Sequence, residues 1–164
     1  MKTIKTKKDF LKKETFLKLK DIIVLSDNTF PFYFNNTVST TKFKSNNDFY
    51  FTHTVYKDYR PYSDLFEIFK PVLQQLNVKS LIRIKINLYT RTEKIHYHDA
   101  HKDYPFDHNG CILALNTCDG GTQINKKLYR YEENQALFFN PSMPHCSTTC
   151  TNAQARFNIN FNYF

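Results

Sequence analysis

The sequence predicts a mainly β protein, an antiparallel sandwich or barrel. From Ser80 onward, short runs of alternating apolar and polar residues follow one another with turns between them, a pattern typical of half-buried strands. Aromatic residues, which strands favour, make up 16% of the chain, with sixteen Phe and eleven Tyr. No apolar run approaches the roughly 18 residues that would span a membrane.

Residues 1–79 are predicted to contribute helices and edge strands. Apolar residues spaced among the lysines of residues 7–20 indicate a first helix. Ser63 is a suitable cap for a second helix, and Pro71 should kink or split it, because proline lacks the N–H that continues a helix. Earlier strands are expected at Phe30–Phe34 and Phe49–Tyr56.

Residues 80–164 are predicted to form the core of the protein. Four strands are expected here, at Leu81–Tyr89, Cys111–Asn116, Gln135–Phe139 and Arg156–Tyr163. Asp119-Gly120-Gly121 is predicted to be a turn that separates two of them. At 164 residues the chain has the usual size of one domain, so we expect a single domain over 1–164, with 1–79 as its helical and edge-strand part.

Two of these strands have one apolar and one polar face. The polar residues are Arg83, Lys85, Asn87 and Tyr89 on the first strand, and Arg156, Asn158, Asn160 and Asn162 on the last. An antiparallel sheet often exposes one such face to solvent. The alternative interpretation is that both polar faces line a cavity inside a barrel.

The net charge of +8 is concentrated at the N-terminus. Residues 1–20 contain eight lysines against Asp9 and Glu14, which gives an excess of 8 − 2 = +6. Lysine supplies point charges and not the bidentate contacts that read bases or phosphates, so a solvated surface helix is favoured over a nucleic-acid site. A nucleic-acid partner is therefore not expected.

The sequence is predicted to be that of an intracellular, cytoplasmic protein. The basic N-terminus lacks the apolar core of a secretory signal. In that compartment the four cysteines are expected to be reduced. Their spacing includes no tight Cys-x-x-Cys pair, so a Cys₄ zinc site is not favoured.

A segment dense in His and Asp, residues 95–105, is a candidate metal site. Within it, His101 and Asp103 are two residues apart, and on an extended chain both side chains point to the same side. His145, which follows Pro141 and Pro144 in a turn after an apolar strand, is the obvious third ligand. Two imidazoles and one carboxylate suit Fe(II) and leave coordination positions open.

Arg156 follows His145 by eleven residues and opens the last strand on its polar face. A guanidinium there is suited to hold a carboxylate through two parallel hydrogen bonds. A structural salt bridge is the alternative role for an arginine at this position.

The ordered pattern of these motifs resembles the Fe(II)/2-oxoglutarate-dependent oxygenase superfamily, most closely its small prolyl-hydroxylase-like members from bacteria and phages. The pattern runs over Ser80–Phe164 and consists of His101-x-Asp103, Gly120-Gly121-Thr122, Ala136–Asn140, Pro144-His145 and Arg156–Phe161. The resemblance implies a double-stranded β-helix, or jelly roll, with N-terminal helices packed on one sheet.

The resemblance also implies the roles of the site residues. His101, Asp103 and His145 would be the iron ligands, and Arg156 would hold the distal carboxylate of the cosubstrate 2-oxoglutarate. Tyr89 matches a tyrosine that often donates to the same carboxylate. The implied activity is hydroxylation of a peptidyl residue, an amino acid or a small metabolite with O₂, releasing succinate and CO₂.

Two other function classes compete with this interpretation. His96 and His98 with a distal histidine are similar to a cupin metal site, although the Glu and glycines of that pattern are missing. They are otherwise expected at the rim of the substrate opening. A nucleic-acid-binding protein would use the lysine-rich N-terminus, but the aromatic residues alternate with aliphatic ones as core residues do. His53 and His108 are expected to be surface or hydrogen-bonded histidines.

Overall fold

The computed structural model describes residues 3–26, 29–39 and 45–164. Within these ranges the helices are α1 (Lys13–Lys20), which continues into a π-helical turn at Asp21–Leu25, and α2 (Lys70–Gln75), which follows a 3-10 turn at Asp64–Phe69. The strands are β1 (Lys5–Lys7), β2 (Tyr33–Asn35), β3 (Tyr50–Lys57), β4 (Arg60–Pro61), β5 (Leu81–Thr90), β6 (Asn109–Ala114), β7 (Cys118–Ile124), β8 (Lys127–Tyr131), β9 (Ala136–Phe139), β10 (His145–Ser147) and β11 (Ala155–Tyr163).

The strands form two antiparallel sheets. The larger has the order β1-β9-β6-β11-β5-β3-β2, with β4 paired to β3, and the smaller has the order β10-β7-β8. One apolar cluster joins residues of both sheets, including Ile112, Ala114, Leu137 and Phe139 of the larger and Ile124 and Tyr131 of the smaller. The small sheet therefore covers one face of the large one, as in a jelly roll, and the predicted fold class is confirmed.

The other face of the large sheet is covered by the helices. Ile84, Ile86, Ile159 and Phe161 of the paired strands β5 and β11 are fully buried there. Helical residues pack against them, namely Phe16, Leu19, Phe69 and Val72. Burial of large apolar side chains stabilises this contact by roughly 1.5–3 kcal/mol each. The N-terminal helices thus lie on one sheet, as predicted.

The first predicted helix is shorter than residues 7–20. Residues 5–7 pair as β1 with the edge strand β9. Asp9 then has a left-handed φ of 47°, and Lys12 is extended with ψ 140°, so a continuous right-handed helix is not formed before Lys13. Pairing with a sheet edge has overridden the helical pattern in this segment.

The second predicted helix is split at the proline, as expected. Ser63 accepts a hydrogen bond from the backbone N–H of Leu65 at 3.2 Å and caps the 3-10 turn. Pro71 lies in the first turn of α2, where its missing N–H has no helical partner to lose.

The predicted turn at Asp119-Gly120-Gly121 is wrong, because these residues lie inside β7. A Cβ atom on Gly120 would lie 2.2 Å from the carbonyl oxygen of Thr149, and one on Gly121 would lie 2.0 Å from that of Tyr129. The glycines therefore permit close approach of neighbouring backbone. The turn between β7 and β8 is instead at Asn125 and Lys126, whose φ values of 50° and 64° suit a two-residue hairpin.

The remaining strand predictions differ mainly in their ends. The four strands expected after Ser80 correspond to β5, β6, β9 and β11, and the two earlier ones to β2 and β3. The strands of the small sheet were not predicted. In the described ranges, no helix is both long and apolar enough to span a bilayer.

Candidate metal and cosubstrate site

A cavity of about 270 Å³ lies between the two sheets. Its wall includes polar residues of the central strands, namely Arg83, Lys85, Asn87 and Tyr89 from β5 and Asn158 and Asn160 from β11. The two polar faces therefore line an internal cavity and are not solvent faces. Strand register explains why they meet, because Arg156 lies opposite Tyr89, Asn158 opposite Asn87 and Asn160 opposite Lys85.

His101, Asp103 and His145 come together on the wall of this cavity. Their nearest ligand atoms all lie within 4.8 Å of one another. His101 and His145 exchange two backbone hydrogen bonds, of 2.8 and 3.0 Å, as an antiparallel bridge. The backbone N–H of Asp103 donates to the carbonyl of Pro141 at 2.9 Å. Short backbone contacts thus hold His145 next to His101 and Asp103, which are more than forty residues away in sequence.

Both imidazoles are set up to present Nε2 to a metal. Nδ1 of His145 lies 2.9 Å from the carbonyl oxygen of Met143, and Nδ1 of His101 lies 3.4 Å from that of Asp99. A carbonyl oxygen only accepts, so Nδ1 carries the proton and Nε2 keeps its lone pair. Burial lowers the pKa of His101 to about 4 and also lowers the pKa of His145. Both rings are therefore neutral at pH 7, the form that binds metals.

Asp103 is held as a carboxylate by several neighbours. Burial alone would raise its pKa, but the adjacent Arg83 guanidinium and a hydrogen bond from Asn162 hold the pKa well below the usual range. Arg83 Nη2 lies 2.8 Å from Oδ1, and the side-chain amides of Asn160 and Asn162 donate to Oδ2 at 3.2 and 2.9 Å. Oδ1 also lies 3.8 Å from Nε2 of His101 and so faces the ligand set.

The neighbours of Asp103 were missed as site residues in the sequence. Their signal was the alternation of asparagines along β11, a residue type that is depleted in strands. Arg83 had a similar signal, since it lies on the polar face of an otherwise apolar strand.

Arg156 is fully buried beside the cavity, where it packs behind Tyr89 and Tyr131 of the cavity wall. Its guanidinium carbon lies 4.1 Å from the ring centre of Tyr89 and 4.7 Å from that of Tyr131. Nε donates to the carbonyl of Thr148 at 2.9 Å, whereas Nη1 and Nη2 have no hydrogen-bond partner among the residues that the structure describes. Buried unpaired donors of a charged group are costly, so these two nitrogens have an unmet demand for an acceptor.

A second cluster of possible ligands contains Asp48, His96 and His98, whose ligand atoms also lie within 4.8 Å of one another. His98 was expected at the rim of the substrate opening. It is only 4% exposed, so it does not lie at an open rim. His53 and His108 fit their expected hydrogen-bonded roles, since Nδ1 of each lies 2.8 Å from a backbone carbonyl oxygen. All four cysteines are buried free thiols.

The fold is shared with solved structures of low sequence identity. An oxidoreductase of the 2OG-Fe(II) oxygenase family from Burkholderia pseudomallei aligns with a TM-score of 0.68 at 9% identity, covering 98% of this chain and 84% of its own. A Pseudomonas putida prolyl-4-hydroxylase has a TM-score of 0.63 at 11% identity, covering 98% and 91%. A Trichoplax adhaerens prolyl hydroxylase in complex with a hypoxia inducible factor peptide has 0.62 at 15%, covering 98% and 83%. No protein-family model matches the sequence, and no curated protein is similar to it in sequence.

Proposed function

We propose that the protein is an iron(II)- and 2-oxoglutarate-dependent dioxygenase. One observation carries the proposal: a two-histidine, one-carboxylate set and a buried arginine with two unpaired nitrogens adjoin the same cavity. The first is a ligand set for non-haem iron, and the second is a partner for a carboxylate. The fold shared with an oxidoreductase of the 2OG-Fe(II) oxygenase family and with a prolyl-4-hydroxylase supports the same assignment.

His101, Asp103 and His145 would hold the metal. Two neutral imidazole nitrogens and one anionic oxygen occupy three positions and leave the others open for cosubstrate and O₂. Asn160 and Asn162, by donating to the outer oxygen of Asp103, would keep Oδ1 turned toward the metal. When bound, iron(II) and 2-oxoglutarate would activate O₂ to hydroxylate a C–H bond, with one oxygen atom entering the substrate, the other entering succinate, and CO₂ released.

Arg156 would hold the distal carboxylate of 2-oxoglutarate. The rings of Tyr89 and Tyr131 pack against the guanidinium of Arg156 and leave its Nη1 and Nη2 as the unpaired donors. Burial raises the pKa of Tyr89, so its phenol stays protonated at neutral pH and can donate to the same carboxylate. The dry environment would strengthen both contacts.

The substrate class proposed is a peptidyl residue, an amino acid or a small metabolite. Prolyl hydroxylases among the structural neighbours support the peptidyl option, since one of them was solved with a peptide bound. The cavity wall also contains two basic side chains, Arg83 and Lys85, so the reacting group would enter a polar pocket.

Anaerobic titration tests the proposal directly. A 2-oxo acid that chelates iron(II) through two oxygens produces a visible charge-transfer absorption, which we expect on adding 2-oxoglutarate to the iron-loaded protein. Succinate should then form once O₂ is admitted. His145→Gln should lose both signals, whereas the control His53→Gln, which alters a histidine hydrogen-bonded to Pro31, should keep them. Full signals in His145→Gln would refute the assignment.

A further inference from the structure

The second histidine cluster uses side chains that do not belong to the iron site, although two of them lie in the same 95–105 segment. His96 and His98 follow β5, and Asp48 precedes β3. Asp48 Oδ1 lies 2.8 Å from Nε2 of His96, a hydrogen bond that by itself accounts for those two side chains. It does not account for His98, whose Nε2 is buried and makes no hydrogen bond of good geometry within the described part of the chain.

His98 has the tautomer of a metal ligand. Its Nδ1 lies 2.9 Å from the carbonyl oxygen of Ser147 and 3.2 Å from the hydroxyl of the same residue, and a proton on Nδ1 satisfies the carbonyl, which only accepts. In that tautomer Nε2 carries a lone pair, and a ring nitrogen of His98 lies within 4.8 Å of the ligand atoms of His96 and Asp48. A buried nitrogen of this kind calls for a donor, a water or a cation.

The backbone fixes the two histidines before any ligand binds. The N–H of His98 donates to Ser147 at 3.0 Å, and the N–H of Thr149 donates to the carbonyl of His96 at 3.0 Å. The N–H of His96 donates to the hydroxyl of Thr149 at 2.9 Å. Because the two histidines are two residues apart on this extended stretch, both rings lie on one side of it. Little conformational entropy would be lost on binding.

We propose that Asp48, His96 and His98 form a second divalent-cation site, separate from the iron site and of the class that binds Zn²⁺. Two imidazoles and one carboxylate suit this borderline cation, and a fourth position remains for water. The bound cation would tie the segment before β3 to the segment after β5. His98 also lies 5.4 Å, ring centre to ring centre, from Tyr89 on the cavity wall, so the bound cation would also restrict the motion of that wall.

Metal stoichiometry of the whole chain tests this site independently of any activity. The protein is freed of metal with a chelator, and Zn²⁺ is titrated by calorimetry, with Co²⁺ absorption as a second readout. Wild type should bind two ions. His98→Gln and Asp48→Asn should each bind one, and His145→Gln should also bind one, because it removes the other site.

The controls separate failure of this site from failure of the iron site. The double variant His98→Gln/His145→Gln should bind none, and His53→Gln should bind two. Asp48→Asn alters a side chain nearer the surface and serves if His98→Gln does not fold. One ion in wild type that His145→Gln loses, or two ions retained by Asp48→Asn, would overturn the second site and would point to a buried water on His98. Two ions retained by His145→Gln would count against the iron site alone.

Discussion

Replacing Arg156 should separate cosubstrate binding from stability. Arg156→Met removes the guanidinium but keeps a long, flexible side chain between Tyr89 and Tyr131. If the distal carboxylate of 2-oxoglutarate pairs with Nη1 and Nη2, the variant leaves that carboxylate buried without a partner. Breaking one side of a buried pair costs roughly 3–5 kcal/mol, which corresponds to about two to nearly four decades in affinity.

The free energy of unfolding should change far less than the affinity. Without ligand, the variant loses the Nε hydrogen bond to Thr148, worth about 1.5–3 kcal/mol, and two cation–π contacts of about 0.5–2 kcal/mol each. It also removes a buried charge whose terminal nitrogens are unpaired, a penalty of several kcal/mol. These contributions have opposite signs and similar size, so they largely cancel.

The assay compares wild type with Arg156→Met and Arg156→Lys in anaerobic titrations of the iron-loaded protein, with iron affinity and urea unfolding measured separately. Lysine should rescue binding only partly, because it offers a point charge in place of two parallel donors. Arg130→Met is the matched control, since Arg130 is exposed on β8. Wild-type affinity in Arg156→Met would refute the reasoning, as would unfolding of that variant with loss of iron binding, which would make Arg156 a structural residue.

Three further predictions concern a proposed metal ligand, a glycine of β7 and the four cysteines. His101→Ala should abolish the iron-dependent charge-transfer absorption, whereas His53→Gln should retain it, and equal absorption in both would remove His101 from the ligand set. Gly120→Ala should lower both stability and 2-oxoglutarate affinity, because the new methyl group would meet Thr149 at 2.2 Å and the Arg156 side chain at 3.1 Å. Overpacking of this kind typically costs about 1–3 kcal/mol, measured by urea unfolding, and an unchanged midpoint would contradict it. Thiol counting under denaturing, non-reducing conditions should find four free thiols per chain, and a lower count would reveal a disulfide.

Local sequence patterns were sufficient to predict the central strands and their two faces. In β5 and β11 the alternation of apolar and polar residues continues over most of the strand, so the period alone separates core from cavity side chains. The candidate triad and Arg156 were also predicted, because these residue types and their order suit one chemistry. The structure brings the triad together, and the roles proposed for it remain to be tested.

Other features depended on contacts between distant segments and could not be read locally. Whether residues 5–7 join a helix or a sheet depends on an edge strand more than a hundred residues away, with Lys5 opposite Phe138. In the sequence, the two glycines of β7 predict a turn. In the structure they lie in a strand, where a Cβ atom on either one would lie within 2.2 Å of a neighbouring carbonyl oxygen. Strand pairing across such separations is decided by packing and not by propensity.

The sequence by itself therefore determined the fold class, the strand faces and a set of chemically suited residues. Only the tertiary structure decided which polar groups surround them. It placed Arg83 and Asn162 around Asp103 and brought Asp48 to His96. The physical reason is that side-chain periodicity specifies which face a residue occupies, whereas hydrogen bonds and ion pairs act over a few ångströms between segments whose approach depends on the packing of the whole core.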